Sequence, residues 1–290
     1  MNYRELPKIT KKQEEIIDLI YRFRFINRKQ LQRYLKHKDA RRINAWLKDL
    51  VEKKYLGRIY SHKLLENTKP AIYYLNNNGI IWVRYEKGME YGATNEQLEM
   101  KYLKKFYEDM HASDTFINHC TTLFQLYIQL KEKEATDKES FEYAVETKTE
   151  LWITKQLDRY EDFDEIKQYL PDLYIEKLTN LYNENIASST FFVELFDPHM
   201  PRYAIKYRIK QYIKFIEDGK WEDYSGLDGK FPRIMLIFPN QQKINFLSKY
   251  IREQLGRSYE SDGLLFLVTT HKKVITEGIT SLKIWQEIKE

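Results

Sequence analysis

Two short runs in the last third of the chain constrain the fold most. FPRIMLIFP (residues 231–239) and GLLFLVTT (residues 263–270) are almost wholly apolar, and between them lies NQQKINFLSKYIREQLG (residues 240–256), a helical pattern closed by glycine. A strand apolar on both sides has no face to give to water. It must lie in a sheet covered on both sides, as parallel strands joined by helices do. Upstream, PRYAIKYRIKQYIKFIEDG (residues 201–219) carries a stripe of Ile205, Ile209, Tyr212, Ile213 and Ile216 and stops at Gly219. Before it, SFEYAVET alternates Phe141, Tyr143 and Val145 against Glu142, Ala144 and Glu146, as a strand with one polar face does. PDLYIEK (residues 171–177) and STFFVELFD (residues 189–197) read as two further strands joined by a polar turn. The helix pair at residues 95–110 and 113–133 precedes them, the charged run 148–169 reads ambiguously as a strand end followed by a helical insert or a mobile loop, and SLKIWQEIKE (residues 281–290) reads as a short helix. The order predicts an α/β layer with a mixed sheet.

The first third has a different period. In KKQEEIIDLIYRFRF, Ile16, Ile17, Leu19, Ile20 and Phe23 share a helical face, and Thr10 with Gln13 forms a capping-box pattern. Asn27 caps a second helix with Leu31, Tyr34 and Leu35 inward, and Asp39 caps a third with Ile43, Trp46, Leu47, Leu50 and Val51 inward. GRIYSH and AIYYLN then read as a hairpin. Three helices and a two-stranded wing predict a winged helix-turn-helix, whose third helix would enter a DNA major groove. On that helix Arg41, Arg42, Asn44, Lys48 and Asp49 face outward; Arg and Asn are the side chains that read guanine and adenine edges. Arg28, Lys29 and Arg33 on the second helix, and Arg58, Lys63 and Lys69 in the wing, would meet phosphates. Residues 80–97, with turn residues and no clean period, read as a linker.

Charge supports this division. The net charge is +5, but residues 1–80 hold 19 Lys and Arg against 8 Asp and Glu, while the rest holds 29 against 35. A basic module on an acidic remainder suits phosphate-backbone binding. The length of 290 residues predicts two domains. The lone Cys120 excludes an intrachain disulfide and a multi-cysteine zinc site, and its setting in FINHCTTLFQLYIQL predicts a small buried residue. No apolar run is long enough to span a bilayer, and MNYRELPKIT lacks a signal-peptide core, so a cytoplasmic protein without membrane association is expected.

One constellation points to chemistry. Asp172 opens one strand and Glu194 lies on the next, amid large apolar residues. A carboxylate in such a setting must be paired, hydrogen-bonded or on a metal. Two carboxylates on adjacent strands could hold Mg²⁺ and polarise a phosphate, and a lysine beside them would orient the attacking water. The element order and this acidic pair resemble the core of the PD-(D/E)XK nuclease superfamily, but Phe196 stands where that pattern has its lysine. Lys206 and Lys210 on the following helix are candidates for a displaced lysine, and Lys177 is a weaker one. Glu142 or Glu146 could be a third ligand. The plain reading of Glu194 is an ion pair with Arg202, Lys206 or Arg208; the plain reading of Lys206 and Lys210 is that they flank an amphipathic stripe.

The whole layout resembles the replication-relaxation family of plasmid and mobile-element proteins. IIDLIYRFRFINRKQLQRYL, INAWLKDLVEKKYLGR, His111 opening the next helix, PDLYIE, FFVELFD and RIKQYIKF carry the likeness by their order, over roughly residues 10–240. Glu194-Leu195-Phe196-Asp197 is one residue longer than the Glu-x-Asp strand end of that family, which separates Asp197 from any inherited metal role. The resemblance implies replication or DNA relaxation of a plasmid or conjugative element. Together the expectations are a winged helix at residues 1–85, a linker at 86–96, and a degenerate PD-(D/E)XK-like α/β domain at 97–290. The function expected is that of a double-stranded-DNA-binding accessory or regulatory protein of replication or transfer, partnered by DNA, a second copy, or replication and transfer proteins. The alternatives are a Mg²⁺-dependent endonuclease or nickase using Asp172, Glu194 and Lys206 or Lys210, and a protein-docking adaptor.

Overall fold

The computed structural model describes residues 3–60, 69–92, 101–136, 141–158, 167–180, 186–220, 231–258 and 264–289. The chain divides into two compact units, residues 1–128 with 149–160, and residues 129–148 with 161–290.

The first unit begins with α1 (Lys11–Phe23), whose capping box forms as expected: the Thr10 backbone N–H donates to Gln13 Oε1 at 2.9 Å. Gln13 also donates through Nε2 to Asp49 Oδ2 at 2.6 Å, tying α1 to α3 (Ala40–Glu52). Between them lie β1 (Ile26–Asn27) and α2 (Arg28–Tyr34). Asn27 and Gln30 exchange two bonds at the start of α2, Gln30 N–H to Asn27 Oδ1 at 3.0 Å and Asn27 N–H to Gln30 Oε1 at 3.2 Å. Asp39 Oδ1 accepts from the Arg41 N–H at 2.8 Å and starts α3. Ile16, Ile17, Ile20, Leu31, Ile43, Leu47 and Leu50 are buried, as their spacing requires, while Trp46 and Val51 are half-buried.

The expected hairpin is β2 (Leu56–Ile59) with β3 (Ile72–Leu75), antiparallel, Leu56 opposite Leu75. Its sheet has three strands, not two, because β1 pairs with the other edge of β3, Ile26 opposite Tyr73. A lone two-stranded hairpin is marginal, and a third strand satisfies the open edge. Gly57 leaves room for the ring of Tyr74, its cross-strand partner: a Cβ would lie 2.1 Å from Cζ, so a larger residue would force that ring to shift.

The stretch read as a linker is helical through Tyr91. In α4 (Asn77–Tyr91) Asn76 caps the start by accepting from the Asn77 N–H at 2.7 Å, Ile80 and Val83 are buried, and Gly92 ends it in the left-handed region at φ 62°. Apolar residues on several sides of IIWV blur the stripe that periodicity needs. A short helix (Lys101–Lys104) continues as 3-10 turns to His111 and leads to α5 (Asp114–Thr136). Cys120 is buried with Phe25, Tyr74 and Ile117, as its setting predicts. The ambiguous run after β4 (Phe141–Thr147) forms α6 (Lys148–Asp158).

The second unit is built on a six-stranded mixed sheet in the order β4-β5-β6-β7-β8-β9. β4, β5 (Leu173–Asn180) and β6 (Ile186–Leu195) form an antiparallel meander. β6, β7 (Arg233–Phe238) and β8 (Phe266–Thr270) are parallel and are joined through α7 (Arg202–Glu217) and α8 (Gln241–Leu255). The two apolar runs are thus the parallel strands, with Ile234, Leu236, Phe238 and Phe266 at 0% exposure. After α9 (His271–Glu277), the expected C-terminal helix is instead a 3-10 turn (Leu282–Ile284) and a strand, β9 (Gln286–Ile288), antiparallel to β8. A helix so short is marginal alone. Pairing with the edge of β8 satisfies its backbone and buries Ile288. No helix among the described residues is long and apolar enough to cross a membrane.

Candidate functional site

A cleft of about 650 Å³ opens in the first unit between α2, α3 and the β2–β3 strands. It gathers Arg28 and Lys29 from the first turn of α2, Asn44 and Lys48 from α3, Arg58 from β2 and Lys69 from the segment before β3. The side-chain oxygen of Asn27 fixes where α2 starts, and so where Arg28 and Lys29 project. The α3 positions follow from its period: Leu47 and Leu50 are buried, so Asn44 and Lys48, one turn apart, face outward. Tyr60 and Tyr73 add aromatic surface, with the Arg58 guanidinium 4.7 Å from the Tyr60 ring centroid. Glu52 is the one acidic side chain lining the cleft, 3.7 Å from Lys48 Nζ. Burial pushes the Tyr73 phenol above its ordinary range, while Arg58 and Arg28 pull it the other way, so both cations act at the same floor residue. α2 has no acidic residue in its first turn, where Arg28 and Lys29 lie, whereas the Asp39 carboxylate caps the start of α3.

The remaining candidates are not brought into the cleft lining. Arg41 is exposed at the start of α3, Arg42 lies 5.8 Å from the Trp46 ring, and Arg33 belongs to the last turn of α2. Lys63 lies outside the described residues.

The two carboxylates stand side by side in the second unit. Leu173 pairs with Val193, and one further step of that antiparallel register sets Asp172 opposite Glu194. Both are buried. Asp172 Oδ2 accepts from the Leu195 N–H at 2.9 Å, and Lys148 Nζ lies 4.0 Å from Oδ1. Glu194 Oε1 accepts from Arg208 Nε at 2.9 Å, from Arg208 Nη2, and from the Tyr212 hydroxyl. Arg208 also donates to the carbonyls of Gln168 and Leu170, the latter at 2.6 Å. One guanidinium therefore staples the turn before β5 to β6. Burial works against the Arg208 charge, but Glu194, Tyr212 and Asp172 outweigh it and hold its pKa above the ordinary value. The Tyr212 phenol is raised well above its usual range by burial, with Glu194 reinforcing and Arg208 opposing.

The lysine candidates point elsewhere. Lys206 Nζ lies 5.0 Å from the Phe246 ring and 4.8 Å from that of Tyr250, Lys210 is exposed, and Lys177 lies 4.4 Å from the Phe141 ring. Glu142 is exposed and Glu146 half-buried. Phe196 is buried with its ring 5.0 Å from that of Phe238. Among the described residues no group of three or more His, Cys, Asp or Glu side chains could hold a metal ion. Mg²⁺ is ordinarily held by carboxylates together with substrate phosphates and water; here a cation, Arg208, already fills one lobe of the pair. Of the pairing partners open in the sequence, Arg208 is the one used. Tyr212 was readable only as a core residue, although Arg208 and Tyr212, four apart, share one face of α7.

The replication-relaxation family model matches residues 17–234, three-quarters of the chain from α1 into β7. The chain belongs to the replication-relaxation family. No curated protein and no solved structure matches it. The family match takes in both the basic cleft and the Asp172–Glu194–Arg208 cluster, so this replication-relaxation protein carries both within the shared region.

Proposed function

We propose that this replication-relaxation protein is a double-stranded-DNA-binding accessory or regulatory factor of plasmid or mobile-element replication or transfer. In this reading residues 1–85 act as a winged helix. α3 enters the major groove, Asn44 reads base edges, and Arg28, Lys29, Lys48, Arg58 and Lys69 hold phosphates. The cleft carries the reading, because it assembles six of the ten DNA-contact candidates from separate elements around a single acidic residue. The charge imbalance of residues 1–80 agrees with it. The second unit supplies a scaffold, nuclease-like in strand order, in which Glu194 serves the architecture through Arg208.

The test is duplex binding as a function of salt. Each neutralised phosphate contributes about 0.9 to the slope of log affinity against log salt, so five contacts give a slope near −4 to −5. Lys48→Ala and Arg58→Ala should each flatten the slope by about one, and Asn44→Ala should blur sequence preference. Absence of duplex binding at low ionic strength, or binding indifferent to salt, refutes the proposal. Supercoiled plasmid incubated with the protein and Mg²⁺ should keep its topology. Nicking that disappears in Glu194→Gln would establish the endonuclease reading instead.

A further inference from the structure

The helix that buries Arg208 has a second face with a different composition. Along α7, Ile205, Ile209, Tyr212 and Ile213 are inside, while Arg202, Tyr203, Tyr207 and Lys210 are exposed and Lys206 is half-buried. Tyr203 is 76% exposed and Tyr207 61%, and Phe246 on α8 is 40% exposed. These are the largest exposed rings of the second unit among the described residues. Cations of α7 lie over the rings of α8 beside them. The Arg202 guanidinium lies 4.3 Å from the Phe246 centroid, and Lys206 stands between Phe246 and Tyr250.

The charge on this face is unbalanced. Lys214 and Lys249 each meet an acid one turn on, Asp218 at 3.8 Å and Glu253 at 3.9 Å. Arg202, Lys206 and Lys210 form no ion pair among the described residues. α7 also has no acidic residue in its first turn, so Arg202 and its neighbours sit at the positive end of the helix dipole.

We infer that the exposed face of α7, with Phe246 of α8, is a binding surface for single-stranded nucleic acid, separate from the duplex cleft. A ring can stack on a base only if the base shows its face, and in a duplex those faces are covered by neighbouring bases. Tyr203 and Tyr207 are four residues apart, about 6 Å along the helix axis. That spacing does not fit bases stacked about 3.4 Å apart along one strand. It fits bases splayed from an extended strand, each taken by its own ring while Arg202, Lys206 and Lys210 neutralise the backbone. A protein partner is the less favoured occupant. Tyrosine and arginine are common at protein–protein interfaces but lysine is depleted there, and Lys206 and Lys210 have no acid to pair with among the described residues.

The experiment uses the whole chain and a fluorescein-labelled thymidine oligonucleotide, followed by anisotropy at low salt, with a random-sequence duplex measured in parallel. The inference requires single-strand binding that weakens roughly ten-fold for each of Tyr203→Ala and Tyr207→Ala. Tyr203→Phe and Tyr207→Phe should retain the binding, since the ring and not the hydroxyl is used. Duplex affinity should be unchanged in all four variants. Lys48→Ala and Arg58→Ala in the cleft should do the reverse, so failure of the duplex reading and failure of this one are separable. Both tyrosines are exposed, and circular dichroism should show unaltered folding. The inference is overturned if the chain ignores the oligonucleotide, or if the alanine variants bind it as the parent does. It is equally overturned if those variants only convert a dimer to a monomer in sedimentation, which would assign the face to a second copy.

Discussion

Replacing Glu194 by alanine tests whether this carboxylate belongs to the architecture or to chemistry. The Arg208 side chain is 13% exposed and that of Glu194 7%, so neither charge can turn to water. In Glu194→Ala the guanidinium keeps its bonds to the carbonyls of Gln168 and Leu170 but loses its only carboxylate bond among the described residues. Removing one partner of a buried pair costs about 3–5 kcal/mol, because the other charge is left without compensation. The Tyr212 hydroxyl loses its acceptor as well, which places the expected loss in the upper part of that range. At roughly 2–4 °C per kcal/mol the unfolding midpoint should fall by about 10 °C or more. Glu194→Gln keeps an acceptor oxygen and should lose about half as much. The double replacement Glu194→Leu with Arg208→Leu should recover much of the loss, since a buried pair exchanged for apolar side chains is often nearly neutral. Urea unfolding followed by tryptophan fluorescence and circular dichroism gives all three values, and adding the single replacements Glu194→Leu and Arg208→Leu completes a cycle that gives the coupling. If Glu194→Ala unfolds at or above the parent's midpoint, the reasoning fails. A residue kept for catalysis or metal binding at the expense of stability would behave that way.

Other expectations follow from the same structure. Burial raises the Asp109 carboxyl to about 6, although Arg24 beside it pulls the other way. The folded chain therefore holds a proton there that the unfolded chain has released, so the stability from this group should fall as pH rises from about 4 to about 6. Asp109→Asn should remove that slope in a pH series of urea midpoints; an unchanged slope would contradict it. Gly57→Ala should destabilise the β2–β3 hairpin by about 1–3 kcal/mol through the clash with Tyr74, and adding Tyr74→Leu should relieve part of it in thermal melts. Asn44→Ala should reduce discrimination between duplex sequences by about 1–3 kcal/mol while leaving the salt slope in place, as selection from a random duplex pool would show.

Much of the fold was legible in the order of residues, because period and caps are local. The Thr10–Gln13 box and the Asn27 cap act over three residues, and both form. The alternation of Phe141, Tyr143 and Val145, and the apolar runs that became β7 and β8, state which faces must leave water whatever they meet. The acidic pair could also be located, since Asp172 and Glu194 lie on neighbouring strands of one meander. What chain order could not supply was the partner at each buried face. The last residues form β9 because β8 offers an unpaired edge; their own helical pattern is too short to resist it. α1 tolerates a buried Gln13 because Asp49 arrives from α3. Glu194 meets Arg208 and not Lys206 or Lys210, because α7 turns its 205–209–212 side to the sheet and carries 208 with it, leaving 206 and 210 toward solvent and α8. Local pattern determines which side chains must be buried or paired; only the packing of one element on another decides with what, because those contacts join residues that the sequence keeps far apart.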